Sequence, residues 1–166
     1  GYLGLEWLKK TVGTRLTGVD ISPDMVSRAR NNAAVYGLAD RVEYVLADAR
    51  RLPFDRNQFD GAFSNGSLHE WDRPEEILRE IVRVLRPGGS LVLSDLRRDM
   101  LLPVKWFLWM ATKPKTMRQG LLTSIASSYT PREVRELLAD AGLSGRWQVS
   151  GNPLGVVVRA TKLSIG

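Results

Sequence analysis

Val42-Glu43-Tyr44-Val45-Leu46-Ala47-Asp48-Ala49-Arg50-Arg51-Leu52-Pro53-Phe54 decides the fold. Its first half alternates apolar and polar residues through β-branched positions, which predicts a buried strand over 42–47. The strand ends on an acid, Asp48, and Leu-Pro-Phe then breaks the regular structure. Upstream, Arg15-Leu16-Thr17-Gly18-Val19-Asp20 also closes a short apolar run on an acid. An open α/β sheet holds its ligands at the carboxyl ends of its strands. Two successive strands ending on Asp20 and Asp48, with a helix between them, therefore suggest a nucleotide-like ligand lying across the strand ends.

Working outward, Ser22-Pro23-Asp24 starts the intervening helix, with Ser22 as N-cap and proline in the first turn; Gly37 stops it after Tyr36. Leu3 to Lys10 has helical spacing. Gln58 to Ser64 is a third short strand. Pro74 opens an amphipathic helix with Ile77, Leu78, Ile81, Val82 and Leu85 at helical intervals, ended by Arg86-Pro87-Gly88-Gly89. Ser90 to Asp95 is a fourth strand with a continuous apolar centre, Leu91-Val92-Leu93, as expected of a central parallel strand. Strand and helix alternate from 15 to 95, the pattern of a doubly wound, mainly parallel sheet.

The periodicity changes at Arg97. Residues 97–128 are rich in Trp, Met, Leu and Lys, and Pro103 and Pro114 interrupt them; they read as an inserted helical segment. Thr130-Pro131-Arg132-Glu133 is a capping box, and its helix ends near Ala141-Gly142. Arg146 to Ser150 and Gly155 to Thr161 make a C-terminal antiparallel hairpin through the turn Gly151-Asn152-Pro153.

Length and composition narrow the chemistry. The 166 residues suffice for a single domain with its own core, and 43% hydrophobic with 25% charged residues is an ordinary globular balance. There is no cysteine, which excludes thiolate metal sites and a cysteine nucleophile and permits a cytoplasmic location. His69 is the one histidine, so a multi-histidine metal site is excluded and no metal is expected. The net charge of +6 comes from basic residues scattered along the chain. No apolar run approaches the ~20 residues of a membrane span.

The motifs carry a more specific resemblance when taken in order. Val19-Asp20-Ile21-Ser22, Ala47-Asp48-Ala49, Leu52-Pro53-Phe54 with Phe59-Asp60, Leu85-Arg86-Pro87-Gly88-Gly89 before a strand, Tyr129-Thr130-Pro131 and Ala141-Gly142-Leu143 follow one another at familiar spacing. Together they resemble a class I S-adenosylmethionine-dependent methyltransferase of the small-molecule type, with a Rossmann-like sheet, over nearly the whole chain except 97–128. The resemblance implies S-adenosylmethionine as cofactor and a small acceptor, an apolar one among the readings. It implies that Asp20 holds the ribose hydroxyls, Ile21 packs on the adenine, Asp48 accepts from the adenine amine and the Ala49 amide faces the ring. Ser64, Asn65 and Gly66 would approach the methionine part. The family's first strand and Gly-x-Gly-x-Gly turn are missing, with Gly1 standing as the last glycine, so the chain reads as one methyltransferase domain (residues 1–166) truncated at its N-terminus.

Individual residues keep two readings each. Asp20 binds a ribose or caps the helix that follows, and Asp48 binds a ligand or caps its loop. His69, in Ser67-Leu68-His69-Glu70-Trp71, serves as general base or packs in the loop; histidine is the side chain best suited to proton removal near neutral pH. Trp71, Trp106 and Trp109 are candidate acceptor contacts. The stretch Met100 to Met110 packs on the sheet, lines an acceptor pocket or touches a membrane interface, with Lys105, Lys113, Lys115 and Arg118 facing headgroups. A nicotinamide-dependent oxidoreductase shares Asp20 but does not explain Asp48 with Leu-Pro-Phe. A non-catalytic or RNA-binding protein on this scaffold is the other alternative, but no basic stripe interleaved with aromatics marks nucleic-acid binding.

Overall fold

In the computed structural model, residues 2–141 and 147–162 are described, and they fall into two compact units, 1–53 and 54–166. Gly1, the helix stop at Gly142 with Leu143, and the start of the fifth strand at Arg146 lie outside the described residues.

The first unit runs α1 (Tyr2–Lys9), β1 (Leu16–Asp20), α2 (Pro23–Val35), a short 3-10 turn (Ala39–Arg41) and β2 (Val42–Leu46). β1 and β2 are parallel and in register from Leu16 opposite Val42 to Asp20 opposite Leu46. α2 starts where the sequence places it: the Ser22 hydroxyl accepts from the Met25 N–H at 3.3 Å, and Pro23 occupies the first turn. Leu5, Leu8, Val26, Ala33, Leu38 and Tyr44 form the core of this unit. Gly18 is required there, because a Cβ would come within 2.6 Å of the Tyr44 ring that packs over it. Arg41 ties the end of α1 to the loop after it, donating to the carbonyls of Leu8, Thr11 and Thr14 at 2.9–3.1 Å.

The second unit contains β3 (Phe59–Asn65), a 3-10 turn (Leu68–Glu70), α3 (Pro74–Val84), β4 (Leu85–Leu96), α4 (Leu102–Ala111), a 3-10 turn (Lys115–Met117), α5 (Arg118–Ser127), α6 (Pro131–Asp140), β5 (Trp147–Gly151) and β6 (Gly155–Thr161). Its sheet has the order β3-β4-β6-β5, with β3 parallel to β4 and both β6 contacts antiparallel. The expected hairpin is present, and β6 lies between β4 and β5. Leu78 of α3, Leu85, Leu91 and Leu93 of β4, Val134 and Leu138 of α6, and Val156 and Val158 of β6 make the core. α6 carries the full capping box between Thr130 and Glu133, and the Arg79 guanidinium donates to the Asp140 and Ala141 carbonyls at its far end.

One boundary departs from the sequence reading. Arg86-Pro87-Gly88-Gly89 was expected to separate a helix from a strand beginning at Ser90. β4 instead begins at Leu85, which pairs with Phe59, and the four residues bulge out before pairing resumes at Gly61 opposite Ser90. The turn is real, with Gly88 at φ +78°, but long-range bonds hold it in the sheet: Gly88 N–H donates to the Lys162 carbonyl and Lys162 N–H to the Gly89 carbonyl, both at 2.9 Å.

Candidate active site

In the first unit the parallel register sets the ends of β1 and β2 side by side. The Ala47 N–H donates to the Asp20 carbonyl at 3.1 Å, so Asp20 and Asp48 are carried on adjacent strand ends. Asp20 is exposed. Its Oδ1 accepts the Ser22 N–H at 2.9 Å, and Oδ2 has no hydrogen-bond partner among the described residues. Ile21 beside it is 69% exposed, an apolar side chain on a polar rim. Asp48 is engaged differently. Its carboxylate accepts the Arg50 N–H at 2.9 Å and the Arg50 guanidinium at 2.7–3.1 Å. These bonds hold the Asp48 carboxyl below the usual carboxylate range, the guanidinium contributing most. Asp48 thus shapes its own loop, and recognition of an adenine amine would require the Arg50 fork to swing away. Ala49 sits half-buried in that loop.

In the second unit Ser64, Asn65 and Gly66 lie at the carboxyl end of β3. Asn65 Oδ1 accepts from the Ser94 hydroxyl at 2.6 Å, and Gly66 N–H donates to the Ser94 carbonyl at 2.8 Å. Gly66 has φ +68° and open space where a Cβ would stand, so the chain turns here on bare backbone. The 3-10 turn that follows brings His69 to the end of β4. Its Nδ1 is 2.9 Å from Asp95 Oδ1 and 3.0 Å from Oδ2, and its backbone N–H donates to Oδ2 at 2.9 Å. Asp95 Oδ1 also accepts the Leu96 N–H at 2.7 Å. With a carboxylate as acceptor, the network assigns the ring proton to Nδ1 and leaves the lone pair on Nε2. Nε2 is buried, has no hydrogen-bond partner among the described residues, and lies 3.9 Å from Glu70 Oε1.

Asp95 is the residue that sequence reading missed. The signal was available: in Leu91-x-Leu93-x-Asp95, strand alternation turns the carboxylate to the same buried face as the two leucines. An acid in a core position needs a partner, and His69 supplies it.

The three candidate tryptophans stand in different surroundings. Trp71 is half-buried against the core of the second unit. Trp106 stands in solvent on α4, and Trp109, on the same helix, is 37% exposed under the Arg118 guanidinium, 4.2 Å from its ring centroid.

Comparison with known proteins gives this arrangement its family. Residues 3–93 match the family described as a methyltransferase domain. The methyltransferase GfsG of Streptomyces halstedii is 36% identical over 90 residues, covering 54% of this chain and 32% of that protein. The sterol 4-C-methyltransferase strm-1 of Caenorhabditis elegans is 37% identical over 84 residues, covering 51% of this chain and 25% of that protein. The chain therefore spans about a third or less of the length of these two relatives. Among solved structures, an S-adenosylmethionine-dependent methyltransferase from Aquifex aeolicus superposes with a TM-score of 0.70 at 23% identity, over 96% of this chain and 76% of that one, which establishes the Rossmann-like fold. With parallel strands ending on Asp20 and beside Asp48, and a family match over more than half its residues, the chain belongs to the class I S-adenosylmethionine-dependent methyltransferases.

Proposed function

We propose that the protein transfers a methyl group from S-adenosylmethionine to a small, apolar acceptor. The observation that carries this reading is the end of β1, where an unpartnered carboxylate oxygen of Asp20 stands next to the exposed Ile21. A vicinal diol and a flat apolar ring, as in an adenosine, suit those two groups. Asp20 would accept from the ribose hydroxyls, Ile21 would pack on the adenine, and the Ala49 amide would face the ring. Ser64, Asn65 and Gly66 would border the methionine part, with Gly66 offering backbone unobstructed by a side chain. When bound, S-adenosylmethionine supplies a sulfonium methyl group that already has a good leaving group.

The protein's task is then alignment, exclusion of water and, for a neutral hydroxyl or amine acceptor, removal of a proton. His69 is the proton acceptor in this proposal. Asp95 holds Nδ1–H, so Nε2 presents its lone pair, and the resulting imidazolium would stand between Asp95 and, at 3.9 Å, Glu70. An unpartnered buried ring nitrogen ordinarily costs about 1–3 kcal/mol, and a proton-accepting role accounts for keeping it. The C. elegans relative named for a sterol supports an apolar acceptor. The family match favours methyl transfer over nicotinamide-dependent oxidation.

The test is calorimetric titration of S-adenosylhomocysteine and, separately, NADH into the full gene product. Saturable binding of the first alone is the expected result. No binding of S-adenosylhomocysteine overturns the proposal.

A further inference from the structure

Helix α4 is turned the opposite way to an ordinary surface helix. At 100° per residue, Leu102, Pro103, Trp106, Phe107, Met110 and Ala111 occupy one arc, and all are exposed; Leu102 is 78% and Trp106 and Phe107 each 61% accessible. The opposite arc holds Val104, Lys105 and Leu108, all half-buried. The one charged residue of the helix therefore faces the protein, with Lys105 Nζ donating to the Arg98 carbonyl at 2.7 Å, while the aromatic residues face out. None of the ten residues is buried. Solvation explains an isolated exposed leucine, but not a whole apolar arc.

The charge around that arc says what covers it. Residues 100–131 contain Lys105, Lys113, Lys115 and Arg118 and no aspartate or glutamate. Lys113 and Lys115 are exposed just beyond the C-terminal end of α4, and exposed Met117 follows them. Arg118 donates to the Met110 carbonyl at 3.1 Å and stacks on Trp109, which fixes this basic turn beside the apolar arc. Amphipathic tryptophans next to lysines match the boundary between acyl chains and anionic headgroups. A second copy of the chain fits less well, because a two-fold contact through this face would bring Lys113 and Lys115 toward their own counterparts. No described helix is long and apolar enough to cross a membrane, and ten residues span only about 15 Å, so the helix would lie in the interface plane.

We propose that α4 and the Lys113–Arg118 turn dock the protein on an anionic lipid bilayer, with Trp106, Phe107 and Met110 inserted and the lysines on the headgroups. The inference does not depend on the methyl-transfer reading.

The test is co-sedimentation of the full gene product with extruded vesicles of phosphatidylcholine alone and of phosphatidylcholine with one-third phosphatidylglycerol, at near-physiological salt. Expected is partitioning about tenfold or more stronger onto the anionic vesicles, weakening with added salt, together with a blue shift of tryptophan emission. The double variant Trp106→Ser/Phe107→Ser should lose about tenfold or more of that partitioning. Lys113→Gln/Lys115→Gln should lose about tenfold and with it the preference for anionic lipid. All four positions are exposed, so both variants should keep the wild-type circular dichroism and melting temperature, and that check accompanies the binding data. Equal or absent binding to the two vesicle types, or binding that neither double variant changes, overturns the proposal. So does a wild-type dimer in light scattering that Trp106→Ser/Phe107→Ser converts to monomer, which would make the face an interface between copies.

Discussion

His69 and Asp95 meet through Nδ1 and both carboxylate oxygens at 2.9–3.0 Å, with side chains only 7% and 2% exposed. The pair joins the turn after β3 to the end of β4, and the backbone N–H of His69 adds a third bond to the same carboxylate. Its chemical consequence is the choice of tautomer. Asp95→Asn presents an amide in place of a carboxylate, which favours the proton on Nε2 and removes the lone pair there. Turnover should fall by about 10²–10⁴-fold with S-adenosylhomocysteine affinity unchanged, and His69→Ala should lose a similar amount. The double variant should be no worse than either single one, since the two residues act as a unit. Steady-state kinetics across pH reads this out. Turnover of Asp95→Asn within about twofold of wild type would reduce the pair to a structural pin.

Asp20 offers a binding test largely free of folding effects. Among the described residues its carboxylate accepts one hydrogen bond, from the exposed Ser22 N–H, so Asp20→Ala should leave the melting temperature nearly unchanged. Losing a charge-assisted bond of about 1.5–3 kcal/mol to a ribose should weaken S-adenosylhomocysteine binding by about 10- to 100-fold. Titration calorimetry on wild type and variant measures it. Equal affinities would assign Asp20 to the turn alone.

What could be read in the chain was what depends on near neighbours. Ser22 with Pro23, and Thr130 with Glu133, are local signals, and both helices start there. β1 and β2 were legible from alternation, and their terminal acids with them. The Pro-Gly turn does end α3, at Val84, but the strand starts earlier than Ser90 because Leu85 pairs with Phe59 and the turn itself bonds to Lys162, both distant in sequence. The His69–Asp95 pair spans 26 residues and two strand ends. Only the parity of Leu91, Leu93 and Asp95 hinted that the acid faces inward. Asp48 shows the converse: its position at a strand end was readable, but its capture by Arg50 two residues on was not.

Gly155 bears on Asp95 from behind. It lies opposite Leu96 in the β4–β6 ladder, and a Cβ there would run into the Asp95 carbonyl oxygen, a backbone atom that cannot rotate away. Gly155→Ala should therefore destabilise the second unit by about 1–3 kcal/mol, as overpacking does. Urea denaturation gives the stability. If the strand shift carries Asp95 with it, turnover at saturating cofactor should also fall in protein that remains folded. A variant as stable as wild type would show that the ladder opens freely at this point.

The capping box of α6 gives a pH dependence with a definite sign. The Thr130 backbone N–H donates to Glu133 Oε2 at 2.8 Å, and that bond is the largest influence holding the Glu133 carboxyl below its ordinary value of 4.5; the Thr130 hydroxyl and Arg98 add to it against a smaller cost of burial. A group whose pKa is lowered on folding binds its proton more readily in the unfolded chain, so its contribution is present above about pH 4.5 and is lost as pH falls through the lower folded value. α6 places Val134 and Leu138 in the core, so loosening its first turn is felt in global stability. Thr130→Ala should cost about 1 kcal/mol at pH 7, and Glu133→Ala should also destabilise there. The gap between wild type and Glu133→Ala should hold steady from pH 7 to 5 and narrow progressively below 4.5. Urea melts at pH 7, 5 and 3.5 separate this from a general acid effect, because only the difference between the two proteins is compared. A gap that stays constant on acidification would mean that the glutamate stabilises the helix by packing and not by its charge.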